Sequence, residues 1–204
     1  MTAIKHIIFD LGGVFLNINF QLTSQAFAKL GVTDFNNMFT QHYSNPLFEL
    51  LETGKITEHE FYDAFREATQ VALTNQEIKD AWNALLLDFP PERIQWLEQM
   101  AKKYNLYLFS NTNQIHYDCF MQQFEQVFNG KNFNDYFIKA YYSQDLGLRK
   151  PYPNAFEAIL KEQSLNPADT LFIDDTIKNV EAAASLGMQT IHLAPPLTVL
   201  DLNL

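Results

Sequence analysis

A single cysteine, Cys119, leaves this 204-residue chain without an internal disulfide. A stapled secreted scaffold is thereby excluded, and a reducing compartment fits best. Glycine (7) and proline (8) are sparse and charged residues make up 19%, a composition that argues against disorder. Basic residues are also few, 14 Lys and Arg against 24 Asp and Glu, for a formal net charge of -10. A nucleic-acid partner needs many cations to replace the counterions of its phosphates, so that class is set aside. A small phosphorylated ligand is not, because one basic pocket can sit in an acidic surface. No apolar run approaches the roughly 20 residues of a membrane helix, so no membrane association is expected. The opening MTAIKHIIFD lacks the longer apolar region and small-residue cleavage site of a secretory signal, and the expected location is the cytoplasm. The five histidines show no zinc-ligand spacing. What is present is 47% hydrophobic residues, enough to bury a core without staples.

Residues 4–9 are mostly apolar and β-branched, and predict a buried strand of a parallel sheet. Asp10 follows at once, then a Gly12-Gly13 turn. From about residue 19 to residue 87 the pattern is helical with no convincing strand. Helices are predicted over 21–30, 34–42 and 46–51. Thr57 with Glu60, and Thr74 with Glu77, mark capping boxes that open helices running to about residues 72 and 87. Strand and helix then alternate: strands near 106–109, 137–142, 170–173 and 189–193, helices near 91–104, 114–124, 153–162 and 177–186. The predicted fold is α/β, a doubly wound, mostly parallel sheet with an inserted α-helical cap. Its core spans residues 1–17 and 88–204, and its cap residues 18–87.

Three predicted strands end in polar residues: Asp10, Ser110-Asn111 and Asp174-Asp175. A loop adds Arg149-Lys150-Pro151. Parallel strands expose their carboxyl ends on one edge, so these distant residues can converge. Each has an ordinary explanation alone: a turn residue, a strand-to-helix cap, a solvated lysine, an N-cap pair. Together they suit phosphoryl transfer. A carboxylate can accept a phosphoryl group. Asp10, Asp174 and Asp175 form a hard oxygen set suited to Mg²⁺. Lys150 adds positive charge, and Ser110 and Asn111 can donate to phosphate oxygens. Three carboxylates and a phosphate dianion carry five negative charges, of which Mg²⁺ and Lys150 return three, so phosphate binding should need the metal.

IIFDLGGV, LFSNTN, SQDLGLRKP and LFIDDTIKNVEAA, in that order, resemble the four motifs of haloacid dehalogenase-like hydrolases. The segments look most like bacterial phosphatases acting on sugar phosphates such as α-D-glucose 1-phosphate. The resemblance implies a Mg²⁺-dependent phosphatase acting on a small phosphomonoester. It implies Asp10 as nucleophile and metal ligand and the Gly12 carbonyl as a metal ligand. Ser110 and Asn111 match the phosphate-binding pair, and Lys150 the lysine that steadies nucleophile and phosphate. Asp175 matches the acidic metal ligand, with Asp174 a second, direct or through water. Asn179 stands where many relatives carry another acid. One departure is Gly12, where most such phosphatases have an acid two residues after the nucleophile; losing a general acid or base typically costs 10²–10⁴-fold. A cap residue or a water can take that role, with His42, Tyr43 and Glu49 as the cap candidates. The alternatives are a phosphotransferase or mutase of the same fold, a 2-haloacid dehalogenase, and a non-catalytic phospho-ligand binder. A dehalogenase would leave Asp174 and Asp175 as unexplained charges beside Asp10. Phe61, Phe65 and Trp82 are expected in helix–helix packing rather than against substrate. Glu52, Glu58 and Glu60 are expected on a solvated face, and the apolar tail on the core or on a partner.

Overall fold

The computed structural model describes residues 2–40 and 43–204. Strand β1 (His6–Phe9) leads to helix α1 (Phe20–Lys29), a short hairpin of β2 (Phe39–Thr40) and β3 (Tyr43–Ser44), and helices α2 (Pro46–Glu52), α3 (Glu58–Thr69) and α4 (Asn75–Asn83). Helix α5 (Pro91–Met100), β4 (Asn105–Ser110), α6 (Gln114–Val127), β5 (Lys139–Tyr142) and the short α7 (Ser143–Leu146) follow. The chain closes through α8 (Pro153–Glu162), β6 (Thr170–Asp174), α9 (Ile177–Ser185) and β7 (Gln189–His192). Five strands form one parallel sheet in the order β5-β4-β1-β6-β7. Among the described residues no helix is long and apolar enough to cross a membrane.

The central strands are buried on both faces, as their continuous apolar runs require. Ile7, Phe9, Leu106, Leu108, Leu171 and Ile173 face a layer built on α5 and α6. Their alternates Ile8, Tyr107, Phe109 and Phe172 face α8 and α9. The period of two thus sorts each strand between two helical layers. The tail packs on the first of these, with Val199 buried and Leu202 and Leu204 against it.

Residues 18–87 gather round a third cluster, dense in aromatic rings. Phe27, Phe35, Phe39, Phe48, Phe61, Phe65 and Trp82 are all buried there, and Ile115 of α6 joins them. Both predicted capping boxes are present, with Thr57 and Glu60 opening α3 and Thr74 and Glu77 opening α4. The helix predicted over 34–42 is not there as such: its described part holds a 3-10 turn at Phe35–Asn37 and strand β2, which pairs with β3. The aromatic cluster accounts for the difference, because Phe35 and Phe39 both turn into it and compact packing outweighs a modest local helix preference. His42 lies outside the described residues. Where the chain leaves and re-enters the sheet layer, the two connections pair: Asn17 N–H donates to Asp88 O (2.8 Å), Leu87 N–H to Asn17 O (3.0 Å) and Asn19 N–H to Leu85 O (2.9 Å).

His116 on α6 ties the two layers together. Its ring stacks on Trp82 of α4 with centroids 4.5 Å apart. Nε2 lies 3.1 Å from the Trp82 carbonyl and Nδ1 lies 3.1 Å from the Asn113 amide nitrogen. A carbonyl only accepts and an amide nitrogen only donates, so His116 is the neutral Nε2–H tautomer. Burial pushes its pKa down to about 4, against a smaller upward pull from the Trp82 carbonyl. Between the ordinary value near 6.5 and about 4, the unfolded chain takes up a proton that the folded chain refuses. Stability should therefore fall by about 3 kcal/mol as pH drops through that window. In urea unfolding series, wild type is expected to exceed His116→Gln in stability at pH 7, with the gap closing by about that amount toward pH 4. Phe65→Ala, in the centre of the aromatic cluster, is expected to cost about 3–5 kcal/mol in the same assay.

Candidate functional site

Strand register brings the site together. Phe9 pairs with Leu108 on one side and Ile173 on the other, and Asp10 N–H donates to Ile173 O at 2.9 Å. Asp10 thus emerges at the same sheet edge as Ser110 and Asp174, the last residues of β4 and β6. Carboxylate oxygens of Asp10, Asp174 and Asp175 all lie within 4.8 Å of one another.

Lys150 sits among them with 1% of its surface exposed. Its Nζ donates to Asp10 Oδ1 and to Asp174 Oδ2, each at 2.7 Å, and lies over the Phe109 and Phe172 rings at 5.3 and 5.5 Å. Burial alone would push its pKa down, but the Asp10 and Asp174 carboxylates outweigh it and hold the ammonium above its ordinary range. Asp10 is pushed up to about 7, first by burial and then by the Asp174 and Asp175 charges, against the pull of Lys150. Three carboxylates around one ammonium leave an excess of negative charge in a buried place. A hard divalent cation corrects that excess, so the donor set fits Mg²⁺.

The carboxylates are not equivalent. Asp174 is fully buried and heavily hydrogen-bonded: Oδ1 accepts from Thr176 N–H (2.8 Å), Oδ2 from Lys150, and Asn179 Nδ2 lies 3.0 Å from both oxygens. Its main partner is therefore the lysine. Asn179 uses a neutral donor to orient it where an acid would add repulsion. Asp175 packs over Gly13, whose φ of +74° favours glycine and whose missing Cβ would stand 2.5 Å from Asp175 Oδ2. The glycine expected simply to turn the chain thus also makes room for a carboxylate.

Asn111 differs from its expected role. Its Nδ2 donates to the Lys150 carbonyl and its Oδ1 accepts from Lys150 N–H, both at 2.9 Å. The side chain first fixes the backbone that carries the buried ammonium. Lys150-Pro151 is a cis peptide. At Gly12, an added Cβ would stand 2.9 Å from Ile18 Cδ1, so a methyl group fills the place where an acidic side chain would begin.

Asp10, Gly12, Ser110, Asn111, Lys150 and Asp175 line a cavity of about 340 Å³ between the sheet edge and the helical layer, and the fully buried Asp174 lies behind them. Its walls carry Leu16, Ile18, Phe20, Phe39, Leu85 and Leu86 as well as polar groups. Tyr43 and Glu49, two of the cap candidates, line it. Phe61, Phe65 and Trp82 are buried in packing, as expected, and do not line it. His116 reaches the cavity, but both ring nitrogens are engaged, so it has no proton to give at neutral pH.

Sequence pattern gives no functional role to Arg149 or Lys178, and it misplaces Glu52. Glu52 is buried, not on a solvated face; Arg149 Nη2 lies 3.0 Å from its Oε2, and Arg149 Nη1 donates to Glu49 Oε1 at 2.7 Å. Burial, then the nearby Glu49 charge, push Glu52 up to about 7 against the pull of Arg149. One signal for the pair exists in the sequence: Glu49 and Glu52 are three apart on a helix and share a face. The partner that draws them inward is almost 100 residues away. Lys178, exposed on α9, also lines the cavity.

The comparisons with known proteins agree with this geometry. A D-ribitol-5-phosphate phosphatase of Bacteroides thetaiotaomicron is 34% identical over 191 residues, covering 93% of this chain and 91% of that protein. A sesquiterpene phosphatase of Aspergillus oryzae is 29% identical, covering 96% and 93%. A crystal structure of an aspartate-to-alanine mutant of a haloacid dehalogenase family enzyme from B. thetaiotaomicron, in complex with magnesium and inorganic phosphate, superposes with a TM-score of 0.90. It is 32% identical and covers 95% of this chain and 96% of that one. The family model described as haloacid dehalogenase-like hydrolase matches residues 4–187. This chain belongs to the haloacid dehalogenase-like hydrolase family.

Proposed function

We propose that the protein is a Mg²⁺-dependent phosphatase of small hydroxylated phosphomonoesters, such as a hexose 1-phosphate or a pentitol 5-phosphate. The observation that carries this reading is the buried Lys150 bridging Asp10 and Asp174, with Asp175 close by. That cluster has a nucleophile, a fixed cation and three carboxylates close enough to share a metal. Similarity to a named D-ribitol-5-phosphate phosphatase and to an enzyme crystallised with magnesium and phosphate supports it.

In this reading Asp10 attacks phosphorus in line as the P–O bond to the leaving oxygen breaks, and water then hydrolyses the aspartyl phosphate. Asp10, Asp175 and the Gly12 carbonyl would hold Mg²⁺, with Asp174 adding charge. Bound there, Mg²⁺ supplies the positive charge that screens a phosphate dianion from the carboxylates. Lys150 neutralises charge at the Asp10 oxygen it touches, Asn111 keeps Lys150 in place, and Ser110 donates to the phosphate. Residues 18–87 act as the cap of a core formed by residues 1–17 and 88–204, closing the cavity against water. The 2-haloacid dehalogenase alternative loses ground physically, because halide loss requires no cation, and without one three carboxylates surround the single Lys150 ammonium.

Phosphate release from sugar and polyol monophosphates should depend on added Mg²⁺ and stop with EDTA. Asp10→Asn should lower turnover by about four orders of magnitude or more while leaving the fold intact by circular dichroism; unchanged turnover would refute the nucleophile assignment. Asn179→Ala, which frees Asp174 from its neutral donor, should weaken Mg²⁺ activation by about 10–100-fold, read as the metal concentration for half-maximal rate.

A further inference from the structure

The wall of the cavity contributed by α2 carries an arrangement that the chemistry at Asp10 does not use. Glu49 and Glu52 both reach Arg149, and all three line the chamber that holds Asp10. Glu52 is 6% exposed. Its Oε2 lies close to the guanidinium yet receives no aligned hydrogen bond, and Arg149 Nε is also buried without a partner. The Glu49–Arg149 pair, with Tyr152, also borders a second cavity of about 410 Å³ on its other side, whereas Glu52 borders only the chamber.

A buried carboxyl group short of hydrogen bonds is costly unless a ligand supplies donors. Ionised or protonated, it keeps acceptor lone pairs, so a ligand satisfies it with a hydrogen-bond donor, which on an uncharged sugar or polyol is a hydroxyl. The charge balance gives a second constraint. One guanidinium faces two carboxylates, so Arg149 keeps no net positive charge for a second phosphate or carboxylate on the substrate. The apolar strip of Leu16, Ile18, Phe20, Leu85 and Leu86 faces the same space and suits a carbon skeleton of limited length.

We propose that Glu52, held in place by Arg149, is the specificity-determining residue of this cavity. It accepts hydrogen bonds from the hydroxyls of a neutral, polyhydroxylated substrate tail and refuses substrates bearing a second anionic group. This rests on the phosphatase reading above and adds to it the residue that selects the substrate and the exclusion of a second anionic group.

The test compares kcat/KM of the full chain, with Mg²⁺, on a pentitol 5-phosphate, a hexose bisphosphate and a prenyl monophosphate, for wild type and for Glu52→Gln. Wild type is expected to favour the pentitol phosphate by at least about tenfold over either competitor. In Glu52→Gln the pentitol value should fall about tenfold, mainly through KM, because a charged acceptor is replaced by a weaker neutral one. The bisphosphate value should rise, because the group goes from a net charge of -1 to neutral, with Glu49 left as the one carboxylate partner of Arg149. Loss by one common factor on all three substrates would overturn the proposal and make Glu52 only a strut between α2 and the core. A wild-type preference for the bisphosphate or the prenyl phosphate would also overturn it, and needs no variant to fold. If wild type releases no phosphate from these three or from p-nitrophenyl phosphate, the phosphatase reading itself falls; activity with the wrong preference brings down only the role of Glu52.

Discussion

The buried ammonium of Lys150 is the constraint on which the site depends. Removing a lysine from water is expensive, and it is tolerated here because two carboxylates meet it at hydrogen-bond distance. Those carboxylates come from β1 and from β6, two neighbouring strands of the parallel sheet. The lysine comes from a loop that the Asn111 side chain grips by its backbone. Once the register of β1 with β4 and β6 is set, the three elements carry the whole cluster. The layers on each side of the sheet keep those strands in register by burying alternate side chains in opposite directions.

The same charge that stabilises the lysine leaves the site unbalanced. Asp10, Asp174 and Asp175 put three carboxylates around one ammonium, and burial, then the Asp174 and Asp175 charges, raise the Asp10 pKa against the pull of Lys150. A metal is the natural correction, and it explains why an acidic protein can be suited to an anionic substrate. Elsewhere in the lining the balance differs: Arg149 is paired with both Glu49 and Glu52. The cavity thus joins a cluster suited to a phosphate and a cation with a cluster whose one cation is already matched.

Much of this is legible in the amino-acid sequence. Alternating strand and helix patterns, the two capping boxes and the polar residues closing β1, β4 and β6 identify the fold class and most of the site. Local signals are enough there because capping and burial period are local physics. The described part of residues 34–42 departs from its helical pattern because a cluster of aromatic side chains from distant helices decides its conformation. Glu52 departs from the solvated face expected of it because surface acids and buried acids have the same sequence appearance until their partner is known.

By itself, the sequence determined the layered α/β architecture, and it put forward Asp10, Lys150, Asp174 and Asp175 as candidates for the chemistry, with a gap at Gly12. The architecture follows from periodicity along the chain; the candidate roles and the gap at Gly12 are what the resemblance of the four motifs to the family implies. Only the tertiary structure decided that Ile18 fills the space at Gly12, that Asn111 holds the Lys150 backbone, that Asp174 serves the lysine first, and that Arg149 pairs with two acids of α2 at the cavity. Each of these is a contact between residues brought together by packing, and contact distance is not encoded in spacing along the chain.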